Sequence, residues 1–169
     1  MLTFKEQNKY AWVQFKITDD GGYFNNFKSY IPEDALYREE NKYGMEKNPH
    51  VTVLYGLDNN VTLKDIRKTL WGAEIPKSLV GFGISEFTDD NRYDVVKLDV
   101  ISPRSLWLLN DLLCSLPVPG MTYPDFKPHM TVAYVKKEWM MPKYIGDLVY
   151  PVRLYGYLEF CNNGVTEEI

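Results

Sequence analysis

The 169 residues include 19 Lys and Arg against 23 Asp and Glu, a formal net charge of −4, and no basic block longer than Lys136-Lys137, which argues against a broad basic face for long nucleic acid. The apolar fraction of 45% is ordinary for a globular chain, while 13 Tyr, 8 Phe and 4 Trp favour strands over helices. Two cysteines, Cys114 and Cys161, make neither a disulfide framework nor a metal quartet and are expected to be reduced and structural. This length predicts one domain over residues 1–169. No apolar run of signal-peptide length opens the chain and none approaches the roughly 20 residues of a membrane span, so a soluble cytoplasmic protein with no membrane partner is expected.

In chain order, residues 10 to 17 alternate as a strand, with Ala11, Val13, Phe15 and Ile17 on one face and Tyr10, Trp12, Gln14 and Lys16 on the other. Asp19-Asp20-Gly21-Gly22 is a turn, and Tyr23 to Asn48 reads as a long, partly ordered loop with a short helix opened by Pro32-Glu33-Asp34 and a break at Tyr43-Gly44. Val51 to Tyr55 is a strand closed by Gly56; Asn60 or Thr62 caps a helix through Leu63, Ile66 and Leu70, which Gly72 ends. Val80–Phe87 and Tyr93–Val100 form a hairpin about the turn Thr88–Arg92, and Ser102-Pro103 opens a helix through Leu106, Leu109 and Leu113. Trp139 to Asp147 is irregular, and Val149 to Phe160 supplies one or two closing strands. The order predicts an α+β fold of two related halves.

Two stretches stand out. Pro49-His50-Val51-Thr52-Val53-Leu54-Tyr55 and Pro128-His129-Met130-Thr131-Val132-Ala133-Tyr134 are one pattern, P-H-x-T-V-x-Y, written twice, and they hold the only two histidines of the chain. On a strand, residues two apart share a face, so His50 projects with Thr52 and His129 with Thr131. By the same parity Val51, Met130, Val53, Tyr55, Val132 and Tyr134 are expected in the core. If the two strands meet, two imidazoles and two hydroxyls converge on a phosphate-sized point. A neutral imidazole can take a proton from an attacking hydroxyl while a protonated one gives a proton to the leaving oxygen, and threonine hydroxyls can donate to the non-bridging oxygens. No metal or cofactor is required. A zinc site of the two histidines with Asp58 or Glu159 is the chemical competitor, but no H-E-x-x-H-like spacing supports it. Neither Cys114 nor any serine sits in a nucleophile-elbow context.

The paired H-x-T motifs resemble those of the two-histidine phosphoesterase superfamily, which includes the LigT-like RNA cyclic phosphodiesterases. The string Tyr43-Gly44-Met45-Glu46 with Pro49 to Leu57 is similar to small phage-encoded members, some of which destroy cyclic oligonucleotide signals of bacterial immunity. The resemblance implies a bilobal α+β fold: two antiparallel sheets related by a pseudo-two-fold, helices outside, a central groove between. It also implies metal-free attack at a phosphodiester next to a ribose 2′-hydroxyl, or opening of a 2′,3′-cyclic phosphate, with His50 and His129 as base and acid in unassigned order and Thr52 and Thr131 on the phosphate. A phage-encoded chain would act in the host cytoplasm.

Many LigT-like enzymes carry an arginine beside the motif strand. Here the position two after each threonine is Leu54 or Ala133, which fits a small nucleotide better than long RNA. Base stacking on aromatic rings contributes about 1–3 kcal/mol per base, so Tyr10 and Trp12 on the polar face of the first strand are substrate-binding candidates, with Glu159 on the last strand a candidate for a base edge. The expected function is phosphodiester cleavage in a small cyclic or 2′,5′- or 3′,5′-linked oligonucleotide. The alternatives are an RNA 2′,3′-cyclic phosphodiesterase and a sponge that binds a nucleotide without turning it over.

Overall fold

In the computed structural model, which describes residues 9–88, 91–101, 103–121, 125–147 and 151–169, the alternating stretch after Tyr10 forms β1, Ala11–Asp19. Ala11, Val13 and Phe15 are fully buried, and Trp12 and Lys16 stay half-exposed on the opposite face, as the period of two dictates. The following strands are β4 (His50–Leu57), β5 (Ser78–Thr88), β6 (Tyr93–Ile101), β7 (His129–Lys136), β8 (Val152–Asn162) and β9 (Val165–Glu168), after a small hairpin of β2 (Arg38–Glu39) and β3 (Lys42–Tyr43). Helices are short: α1 (Tyr23–Lys28), α2 (Leu63–Thr69), α3 (Arg104–Leu113) and α4 (Lys143–Asp147), with a 3₁₀ turn at Glu33–Ala35.

Thr62 caps α2 in a capping box with Asp65, and Gly72, at a φ of 79°, lies just beyond its end. Pro103 precedes α3; the companion residue expected to cap it, Ser102, lies outside the described residues, as do Val149 at the start of the expected closing strand and Asp89 and Asp90 of the hairpin turn. Gly56 does not end its strand. Its φ of 98° lies inside β4, and a Cβ there would come within 2.4 Å of the Gly120 backbone, so glycine admits the loop after α3.

All neighbouring strands are antiparallel, in the order β1-β4-β7-β6-β5-β8-β9, and β1 also pairs with β8. The main strands thus fall into two antiparallel sheets, β4-β1-β8 and β7-β6-β5, joined at two places. One joint is β8 itself, which pairs with β5 over Val152–Tyr155 and with β1 over Tyr155–Cys161. The other is a single residue pair between β4 and β7, Val51 opposite Met130. The helices cover the outer faces: α3 packs on β4 with α2 beside it, α4 on β5, α1 on β7. Leu106, Leu109 and Leu113 of α3 and Ile66 of α2 are fully buried there.

The two sheets match strand for strand. Ile17 N–H donates to the Pro49 carbonyl at 3.1 Å in one and Val100 N–H to the Pro128 carbonyl at 3.1 Å in the other. Each carries a bulge at the same place: Val53 is skipped between the pairs Gln14–Thr52 and Val13–Leu54, and Val132 between Lys97–Thr131 and Val96–Ala133. A bulge leaves one residue outside the ladder, and its carbonyl needs a partner from elsewhere. Asn110 of α3 donates its side-chain amide to Val53 at 2.7 Å, and Glu46 N–H donates to the Val132 carbonyl at 2.8 Å. Asn110→Ala is therefore expected to destabilise the chain by about 1–3 kcal/mol in urea unfolding, the cost of a buried acceptor left unpaired. An unchanged midpoint would mean that the carbonyl is satisfied without it.

The segment from Tyr23 to Asn48 is more ordered than its sequence signals. Asp20 accepts from Phe24 N–H at 2.7 Å and opens α1, and the hairpin docks on β7 through Tyr37 N–H to the Tyr134 carbonyl and Tyr134 N–H to the Gly44 carbonyl. Trp139 to Asp147, expected to be irregular, ends in α4, and a strand not expected, β9, pairs with β8.

Candidate active site

Val51 and Met130, the middle residues of the two H-x-T motifs, are the pair that joins β4 to β7, and both are fully buried. Antiparallel register carried one residue to each side sets His50 opposite Thr131 and Thr52 opposite His129. All four side chains then lie on the face away from the core, around a pseudo-two-fold that passes through the Val51–Met130 pair. All four residues are half-buried.

The two imidazoles are held alike. His50 Nδ1 lies 2.7 Å from the Asn48 carbonyl and His129 Nδ1 2.8 Å from the Lys127 carbonyl. A carbonyl only accepts, so Nδ1 carries the proton in both rings, and Nε2 is left as the group that can accept or deliver one. Burial pushes the His129 imidazole below its ordinary pKa; the Lys127 carbonyl and Asp99 oppose that, while Lys97 and His50 reinforce it. The two rings are thus near enough for the charge of one to act on the other.

The bulges overturn the simple parity expected for these strands. Past Val53 and Val132 the alternation shifts by one, so Leu54 and Ala133 point into the core, 5% and 0% exposed. Tyr55 and Tyr134 come round to the side of the histidines and are half-buried. The missing arginine at Leu54 and Ala133 therefore carries no information about groove charge. Cations come from the neighbouring strands instead: Lys16 of β1 stands opposite His50 and Lys97 of β6 opposite Thr131.

Of the expected binding residues, Tyr10 and Trp12 flank Tyr55, with ring centroids 6.1 and 6.2 Å away. Gly120 backs Tyr10, since a Cβ there would meet the ring at 2.6 Å. Glu159 of β8 is only 7% exposed and is joined to Trp12 through a residue the sequence did not single out: Trp12 Nε1 donates to Gln14 Oε1 at 2.8 Å, and Gln14 Nε2 donates to Glu159 Oε1 at 2.6 Å. In the other sheet the counterpart of Tyr55, Tyr134, packs against Tyr43 and Tyr93, which also contact Tyr37. Burial pushes the Tyr134 phenol up, so it stays neutral. The aromatic corner of this second sheet is filled by the chain's own Tyr37 and Tyr43.

Asp58, a carboxylate of the zinc alternative, accepts from Asn60 N–H and from its side-chain amide, both at 2.8 Å, and so serves its own turn. Among the described residues no three His, Cys, Asp or Glu side chains are grouped closely enough to hold a metal. Cys161 is 3% exposed, and burial pushes its thiol up to about 11; the Cys114 thiol is raised as well, so neither offers a thiolate near neutrality. No helix among the described residues is long and apolar enough to cross a membrane.

This arrangement of two antiparallel sheets meeting at a pair of H-x-T strands is the bilobal α+β fold expected from the sequence, and solved structures share it. Among solved structures the chain is similar to Usb1 of Kluyveromyces marxianus, with a TM-score of 0.61 at 11% identity over 96% of this chain and 98% of that one. It is also similar to that protein with uridine monophosphate, at a TM-score of 0.63, 9% identity and the same coverage. E. coli LigT complexed with 3′-AMP matches at a TM-score of 0.51 and 15% identity, over 95% of this chain and 94% of that one. At such identities the likeness is one of fold. No protein-family model and no curated protein matches the sequence.

Proposed function

We propose that the chain is a phosphodiesterase that cleaves a small nucleotide by proton transfer between His50 and His129, with Thr52 and Thr131 donating to the non-bridging phosphate oxygens. The observation that carries this reading is the Val51–Met130 pair, which turns two distant copies of one motif into a single four-residue face. Imidazoles with Nδ1 fixed on a carbonyl present Nε2 to the groove, one to accept a proton and one to return it, so the reaction needs no metal. Solved structures of the same fold hold uridine monophosphate in Usb1 and 3′-AMP in LigT, which supports a nucleotide of similar size here.

The substrate is a cyclic oligonucleotide or a 2′,5′- or 3′,5′-linked one, of the kind used as a second messenger in defence against phage, and the protein acts in the cytoplasm. Three features support the substrate size. The Tyr10–Tyr55–Trp12 corner offers rings for one base beside the histidines, the buried Gln14–Glu159 pair lies next to it, and a net charge of −4 offers no extended basic path. A single domain suffices for this site. In the test, the protein is incubated in EDTA with cyclic di- and trinucleotides, linear 2′,5′ and 3′,5′ dinucleotides and an RNA ending in a 2′,3′-cyclic phosphate. Linear or 2′,3′-cyclic products from the cyclic oligonucleotides are expected. Turnover of the RNA end alone would assign the RNA-processing alternative, and recovery of intact nucleotide from a tight complex would assign a sponge.

A further inference from the structure

The carbonyl that fixes each imidazole sits just before a proline, but the two carbonyls are held by different means. In the first motif Lys47 and Asn48 are exposed and lie outside any strand, and their N–H groups both donate to Glu46 Oε1, at 2.8 and 2.9 Å. Those two bonds fix the peptide planes leading into Asn48. On the other side the Pro49 carbonyl accepts from Ile17 N–H at 3.1 Å, and a residue before proline is held to extended backbone. The Asn48 carbonyl, 2.7 Å from His50 Nδ1, is thus clamped between Glu46 and β1.

Glu46 is itself anchored on the other half of the site. Its N–H donates at 2.8 Å to the carbonyl of Val132, the bulge residue of the strand that carries His129, and Met45 beside it bridges to Ala133. In the second motif Asp125-Phe126-Lys127-Pro128 takes the place of Glu46-Lys47-Asn48-Pro49. There Phe126 packs edge-on against Trp107 of α3, with ring centroids 5.2 Å apart. The approach to one histidine is held by a carboxylate, the approach to the other by an aromatic contact.

We propose that Glu46 is a positioning residue that fixes the His50 tautomer and ties it to the strand bearing His129, by locking the exposed turn whose Asn48 carbonyl holds His50 Nδ1. The inference rests on the two-histidine reading above. Without the carboxylate the turn can rotate its peptides toward water, and the ring is free to carry its proton on Nε2, where a neutral imidazole has nothing to accept with. The Glu46 charge also acts on Lys28 of α1 and on Tyr134, so its role as acceptor has to be separated from its charge.

Two variants do this: Glu46→Met keeps the length and deletes the acceptor, and Glu46→Gln keeps the acceptor and deletes the charge. With only two histidines in the chain, long-range proton–nitrogen correlation spectra at a pH where both rings are neutral report each tautomer, assigned with His50→Ala and His129→Ala. Both rings of the unsubstituted protein should carry the proton on Nδ1. In Glu46→Met the His50 pattern is expected to move toward Nε2–H while that of His129 stays, and kcat to fall by about 10–100-fold with KM changed less than about twofold. Glu46→Gln should restore both tautomer and rate, and Glu46→Ala replaces Glu46→Met if the latter misfolds. A merely structural role would lower the melting temperature and leave both tautomers in place. That result, a shift of the two histidines together, or failure of Glu46→Gln to restore the rate overturns the proposal. An unsubstituted protein that cleaves no phosphodiester would sink the functional reading, and the His50 tautomer would still decide whether Glu46 holds the ring. Normal turnover by Glu46→Met with an unmoved His50 pattern would overturn this inference alone.

Discussion

His50→Ala and His129→Ala are each expected to lower kcat/KM on the cleaved nucleotide by about 10²–10⁴-fold, the usual worth of a positioned acid or base. The double variant should lose little more than the worse single one, because acid and base serve one transfer and their losses do not add. Stability should hardly change. Each ring lies at the first residue of its strand, half-buried, with its Nδ1 bonded to a carbonyl two residues back. The fold at that point depends on Val51 and Met130, which face the other way and stay buried. The measurements are initial rates and a thermal melt of each variant: a fall in rate with the melting temperature held within a few degrees is the expected pair of results. A variant that keeps a tenth or more of the wild-type rate would remove that histidine from the chemistry.

Thr52→Val and Thr131→Val separate phosphate binding from proton transfer, since valine keeps the β-branched shape that the strand favours and deletes only the hydroxyl.

The motif itself was legible because it is a repeat, and the alternating first strand because one face of it is wholly apolar. What the sequence hides is the pair of bulges. Thr52-Val53-Leu54 and Thr131-Val132-Ala133 offer no glycine or other local mark of an extra residue. The groups that satisfy the bulge carbonyls, Asn110 and Glu46, lie far along the chain. Without the bulges, parity buries Tyr55 and Tyr134 and exposes Leu54 and Ala133, the reverse of what the strand register sets. Lys16, Lys97 and Asp99 were hidden for a related reason: their closeness to the motifs exists only once β1 is registered on β4 and β6 on β7. The hairpin at Arg38–Tyr43 escaped because its turn uses a non-glycine residue at positive φ, Glu40 at 55°, as does the end of its second strand, Tyr43 at 64°, and because its order comes from docking on β7 rather than from its own sequence.

Gly156→Ala is expected to destabilise the protein by about 3 kcal/mol or more. Gly156 sits where β8 passes from β5 to β1: Tyr155 still pairs with Ser78, and Gly156 pairs with Ile17. A Cβ at Gly156 would lie 1.8 Å from the Lys16 carbonyl oxygen and 3.0 Å from the Phe15 ring. A backbone oxygen inside a ladder cannot rotate aside as a side chain can, so the strands must part or the register must slip. β8 is also the longer of the two joints between the sheets, the other being the single Val51–Met130 pair. Loosening β8 therefore frees the sheets to move about the point where the four H-x-T side chains meet, and activity at a permissive temperature should fall along with stability. Gly83→Ala is the control: a Cβ at that position would approach only an Asp99 oxygen, at 3.9 Å, and its cost should stay within about 0.5 kcal/mol. Equal midpoints for the two variants in urea would mean that β8 does not hold the sheets together at Gly156.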